Sequence, residues 1–161
     1  KLCYDLLLGH SVKALAAVEN KEVNEDLENV VEASIFLSGF GAICGGLAAA
    51  HAVNDGFGPI PQLHANGTSY GEKVAFGLLV QLILEKAPQE EWDTVLRFMQ
   101  TVGLPTTLAE LGFKDFVEAD LRRAAKIAAS PKEFTTKVRA DITADEVYDA
   151  ILAADKAGAR Q

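Results

Sequence analysis

Residues 33–54, ASIFLSGFGAICGGLAAAHAVN, form a run of 22 positions without one Asp, Glu, Lys or Arg. A fold must place such a run in a bilayer or against other apolar surface. In length it reaches the roughly 20 residues of a membrane span. Gly39, Gly41, Gly45 and Gly46 weaken it as a helix, a histidine stands near its end, and the mean hydropathy of the whole chain is only +0.11. The run therefore reads as a small-residue stretch buried among other helices, with Gly45, Gly46, Ala48, Ala49 and Ala50 admitting another backbone or a ligand at close range. Cys44, set among small apolar residues, reads as an inert buried thiol.

The surrounding chain has helical periodicity almost throughout. From Leu2 to about Val18, apolar residues recur every three or four positions, and Gly9 is a weak spot rather than a break. Asn24 caps a second helix with Glu25 and Asp26 in its first turn. Gly71 to about Lys86 fits a buried helix. Pro88 opens another, striped by Trp92, Val95, Leu96 and Met99 and closed by Gly103 and Pro105. Leu108 and Leu111 mark a short helix, and a longer one runs through Val117, Leu121, Ala124, Ile127 and Ala128. Ser130-Pro131-Lys132-Glu133 and Thr143-Ala144-Asp145-Glu146 both have the spacing of a capping box. No alternating strand pattern and no internal repeat appears. The expected fold is all-α, a single helical domain over residues 1–161.

Charge narrows the partners. Fifteen Lys and Arg against 23 Asp and Glu leave a net charge of −8, which argues against nucleic acid and against an anionic membrane surface. Two cysteines are too few for a disulfide framework and point to a reducing compartment, the cytoplasm. The chain begins at Lys1 and is expected to be a processed or excised piece of something larger.

His51 ends the uncharged run. On residue type alone it is a satisfied core histidine; presented at the end of a buried helix, it is a metal ligand or a catalytic base. Asn54 to Tyr70 reads as a long connection, and it contains a second histidine, His64. Two histidines thirteen apart do not make a zinc motif by spacing. Both readings stay open. His10 reads as a surface or boundary residue, Glu72 and Lys73 as capping, solvation or a salt bridge, and Glu25-Asp26 and Glu90-Glu91 as helix first turns.

Gly45-Gly46-Leu47-Ala48-Ala49-Ala50-His51-Ala52-Val53, followed by Gly71-Glu72-Lys73-Val74-Ala75-Phe76-Gly77, resembles the glycerol dehydrogenases of the metal-dependent polyol dehydrogenases, the group III or iron-containing alcohol dehydrogenase family. The likeness extends through Val102–Leu108 and Ala144–Tyr148. It implies a two-domain enzyme in which an N-terminal Rossmann-like domain binds NAD and a C-terminal helical domain completes a metal site. This chain would be the helical half, with the Rossmann-like domain absent. The resemblance further implies zinc, or iron, held by one Asp near the domain junction and two His of the helical half. The implied substrate is glycerol, oxidised to dihydroxyacetone, or another small diol, and the implied state is a homo-oligomer.

By the same resemblance His51 matches the first histidine ligand. The second stands directly before Gly-Glu-Lys-Val-Ala in the family, where this chain has Tyr70; His64 is the candidate to replace it. The family's Gly-Phe-Glu-Ser before the glycine pair is here Gly41-Ala42-Ile43-Cys44, so the pocket wall differs. Alone, these 161 residues are expected to oxidise nothing. The competing expectation is a scaffold or oligomerisation domain with a degenerate metal site.

Overall fold

A computed structural model describes residues 1–113 and 117–159, apart from the side chains of His64 and Ala65. Every regular element among them is helical, as the periodicity predicts. The chain divides into two compact units, Lys1–Gly46 and Leu47–Gln161.

In the first unit α1 spans Leu2–Asn20 and passes through Gly9 unbroken. It stops where Lys21 turns left-handed, and the Glu22 amide bonds back to the Ala17 carbonyl. α2, Glu25–Glu32, starts on Asn24, whose side chain accepts from the Leu27 amide at 3.0 Å. It continues through a π-helical turn, Ala33–Leu37, into α3, Ser38–Gly45. Among the described residues this rod, Glu25–Gly45, is the one helix long and apolar enough to cross a membrane by length and composition. α1 lies antiparallel to α2. His10 Nδ1 meets Asp26 Oδ1 at 2.7 Å, and Cys3 Sγ donates to the Ala33 carbonyl at 3.4 Å.

That last contact corrects the expectation of burial. Because Cys3 stands level with Ala33, α1 has no residues left to cover the rod beyond that point. Within this unit the uncharged run keeps only Ala33 buried; Ile35, Phe36, Phe40 and Ile43 are exposed, Ile43 to 86%. Phe36 and Phe40 stack on each other instead, 6.1 Å between ring centres. Cys44 is exposed as well, not a buried thiol. Nor is the run one helix. Gly46 takes φ +78°, a conformation that costs a residue with a Cβ, and α3 ends there.

The second unit carries the larger core. α4 (Ala49–Phe57), α6 (Tyr70–Leu84), α8 (Glu118–Ala128) and α9 (Ala144–Gly158) pack around Phe57, Phe76, Leu79, Leu121 and Ile151, all fully buried. α7 (Gln89–Val102) lies on α6 and buries Trp92, Val95 and Met99, the expected stripe. The Phe57 ring meets Phe76 at 6.2 Å and Phe113 edge-on at 5.5 Å. α4 and α6 cross closely at Gly77. A Cβ on Gly77 would overlap the Ala50 carbonyl oxygen, and one on Gly56 would overlap that of Ala124. The Ala50 amide then donates to Gln81 Oε1 at 3.0 Å.

Three local expectations change here. The long connection after Asn54 is mostly helix: α4 continues to Phe57 and α5 occupies Pro61–Ala65. What remains is tied down, since Thr68 Oγ1 donates to the Leu111 carbonyl at 2.6 Å and Asn66 Nδ2 to that of Gly112 at 2.8 Å. Leu108 and Leu111 sit on a single turn rather than a helix, because the chain leaves it at Gly112 with φ +102°. Ser130 and Glu133 form no capping box. The Glu133 amide closes a turn onto the Ser130 carbonyl, and its extended backbone leads into a 3-10 turn, Phe134–Lys137. Thr143 and Glu146 do form theirs, at the start of α9.

Candidate functional site

His51 occupies the first turn of α4, not the end of the preceding run. The close crossing of α4 and α6 sets what it faces. Ser69 caps α6 by accepting from the Glu72 amide at 3.2 Å, while the Glu72 carboxylate accepts from the Ser69 amide at 2.7 Å. Glu72 is thereby spent on capping, as its place in the sequence suggests. This start places Tyr70 at the head of α6, with its ring centre 6.2 Å from that of His51 and the planes inclined by 51°. His51 is half-buried, and among the described residues its ring nitrogens have no hydrogen-bond partner.

Two residues not singled out in the sequence join it. Asp55 stands four after His51, on the same face of α4. Its Oδ1 accepts from Asn54 Nδ2 at 3.0 Å, and no cationic side chain pairs with it among the described residues. Asn54 is only 5% exposed, and its own Oδ1 is buried without a partner among those residues. Buried amide oxygens are almost always satisfied, so this one marks a place where another group belongs.

The electrostatics agree. Desolvation first, and then the Asp55 carboxylate, raise the Tyr70 phenol above its ordinary value. The same two causes in the same order raise Glu133, on the turn after α8. Asp55 therefore acts on two acidic groups from neighbouring segments, Tyr70 and Glu133, both of which hold their protons more tightly.

Zinc, the metal implied by resemblance, meets a mixed donor set. An imidazole nitrogen suits it well. A phenol pushed further towards its neutral form does not, since a metal needs the deprotonated oxygen. Among the described residues no three of His, Cys, Asp and Glu converge to hold a metal ion. The His64 side chain lies outside those described.

A cavity of about 430 Å³ elsewhere in the second unit is lined by Glu72, Gln100, Pro105, Thr106 and Glu110 but by neither His51 nor Tyr70. Its carboxylates are already engaged: Glu110 Oε2 accepts from the amides of Thr106 and Thr107 at 2.6 and 3.1 Å. The unpaired imidazole beside a cation-seeking carboxylate makes the α4–α6 crossing the better candidate.

No family model matches the chain. It is 47% identical over 160 residues to the glycerol dehydrogenase of Escherichia coli O6:H1, a match covering 99% of this chain and 43% of that protein. To the glycerol dehydrogenase of Citrobacter freundii it is 44% identical over 158 residues, with 98% and 43% covered. The crystal structure of a probable glycerol dehydrogenase from Sinorhizobium meliloti 1021 superposes with a TM-score of 0.91 at 41% identity, covering 97% of this chain and 44% of that one. The chain thus spans less than half the length of the relatives it matches. With identity and fold agreeing along its whole length, the chain matches a C-terminal part of those glycerol dehydrogenases.

Proposed function

We propose that the chain is the helical half of an NAD-dependent glycerol dehydrogenase, oxidising glycerol or a similar small diol to the hydroxyketone. The single observation that carries this is the identity of 40–47% to four proteins named glycerol dehydrogenase, over at least 98% of the chain. It favours the enzyme over the scaffold reading. A relative from Halobacterium salinarum, 38% identical, is named glycolaldehyde reductase, which fits small hydroxylated two- and three-carbon substrates.

In this proposal the remaining length of the relatives corresponds to a domain that binds NAD, and residues 1–161 supply the helical domain. The metal is zinc, or iron, with His51 as one ligand and His64 as the candidate in place of the residue at position 70. When bound, such an ion stabilises an alkoxide and so favours hydride loss to the nicotinamide. The chain's own residues do the rest. His51 offers a ring nitrogen on a fixed helix turn, and Tyr70 keeps its hydroxyl proton and can donate it to a substrate oxygen. A cytoplasmic setting and a homo-oligomer belong to the same proposal; the unpaired Cys3 and Cys44 fit a reducing compartment.

The test is glycerol-dependent NAD reduction by the full-length protein that carries these residues. Turnover that His51→Ala abolishes supports the proposal. A folded, metal-loaded protein without turnover on glycerol or any vicinal diol overturns it.

A further inference from the structure

The relation between His51, Asn54 and Asp55 goes further than the dehydrogenase reading on which it rests. We propose that Asp55, and not Tyr70, is the second donor that this chain offers beside His51 to a divalent cation of the zinc type, with Asn54 holding the carboxylate in place.

Three observations carry this. The first is spacing. Residues i and i+4 of one helix point the same way about 6 Å apart at Cβ, the arrangement by which one helical face presents two ligands to one ion. His51 and Asp55 have that spacing on α4, a helix fixed against α6 at Gly77 and against α8 at Gly56.

The second is the state of the donors. Among the described residues nothing bonds to either ring nitrogen of His51, and Asp55 is exposed with one oxygen committed to Asn54 and no cationic side chain upon it. A carboxylate oxygen is an ordinary zinc donor, and metal-bound carboxylates characteristically take a hydrogen bond from an outer group. Asn54 already makes that bond.

The third is Asn54 itself. Its side chain is nearly fully buried and aimed at Asp55, yet its carbonyl oxygen has no partner among the described residues. His51 and Asp55 are two donors, which is compatible with there being no three-donor cluster among the described residues.

The experiment uses the full-length protein, stripped with chelator and titrated with zinc, and with cobalt for its ligand-field spectrum. Asp55→Asn, which keeps the shape and loses the charge, should weaken zinc at least about tenfold and change the cobalt spectrum. Tyr70→Phe should leave zinc affinity within about twofold. Asn54→Ala should fall between them. The proposal is overturned if Asp55→Asn binds zinc as tightly as the unaltered protein, if Tyr70→Phe alone removes the site, or if the protein binds no divalent ion. Thermal melting of each metal-free variant separates lost ligation from lost fold. The two proposals fail separately: glycerol turnover with unaltered zinc affinity in Asp55→Asn removes the ligand assignment alone, and zinc held through Asp55 without turnover removes the dehydrogenase alone.

Discussion

The Leu108 amide donates to the carboxylate of Asp155 at 2.7 Å across 47 residues of sequence. This bond joins the turn after α7 to the last turns of α9. Asp155→Ala strands a backbone donor at a buried turn, and the expected cost is about 1–3 kcal/mol. Asp155→Asn keeps an acceptor and should cost less. Urea denaturation decides it through a lower midpoint at unchanged slope.

The crossing of α4 and α6 gives a sharper contrast between two glycines of one helix. Gly77→Ala forces a methyl against the Ala50 carbonyl, so the helices must separate, and a loss of about 1–3 kcal/mol or more is expected. Gly71→Ala, where a Cβ meets open space, should be neutral or mildly stabilising. If the two variants melt alike, the close approach is not what holds the helices.

Thr143→Ala should cost about 1 kcal/mol by removing the N-cap of α9. Its partner adds a pH signature. Hydrogen bonding from the Thr143 amide, and then from Arg139, holds the Glu146 carboxyl below its ordinary value. A lowered carboxyl contributes stability above its unfolded value and loses it as pH falls through the folded one. The advantage of the unaltered protein over Glu146→Gln should therefore shrink on acidification below about pH 4.

Glu133 has the opposite sign. Desolvation and Asp55 raise its carboxyl, so the folded state holds the proton more tightly than the unfolded chain. Its contribution is favourable in acid and becomes a cost as pH rises through the raised value. Glu133→Gln should stabilise the protein at neutral pH and leave it unchanged near pH 3. A melt series across that range reads the difference; a loss at neutral pH would show that the charge is needed.

The sequence reveals the helices and their ends because these are local matters. The Asn24 cap, the Thr143 box and the Trp92–Met99 stripe each depend on a few neighbouring residues, and each is found. Ser130 has the same spacing as Thr143 and makes no box, because Glu133 is turned away by a chain reversal that the motif does not encode. The exposure of Phe36 and Phe40 depends on where α1 starts relative to α2, a tertiary fact. At the site His51 is legible as the end of an uncharged run. Asp55 could have been found from its spacing to His51, since four residues on any helix share a face. Glu133 could not, as only folding brings it under the influence of Asp55.

Gly56 and Gly77 also bear on how such a protein can diverge. Most surface positions of the second unit accept substitutions with little effect, whereas at these two every alternative side chain meets a carbonyl oxygen rather than a neighbour that could shrink in compensation. A second mutation cannot repair the first, because backbone atoms do not vary between amino acids. Sequence drift is thus blocked at the joints of the framework and free between them. The exposed side chains of α4 can then be exchanged one by one, and a tyrosine can stand at position 70, without the helix that presents His51 ever changing its seat.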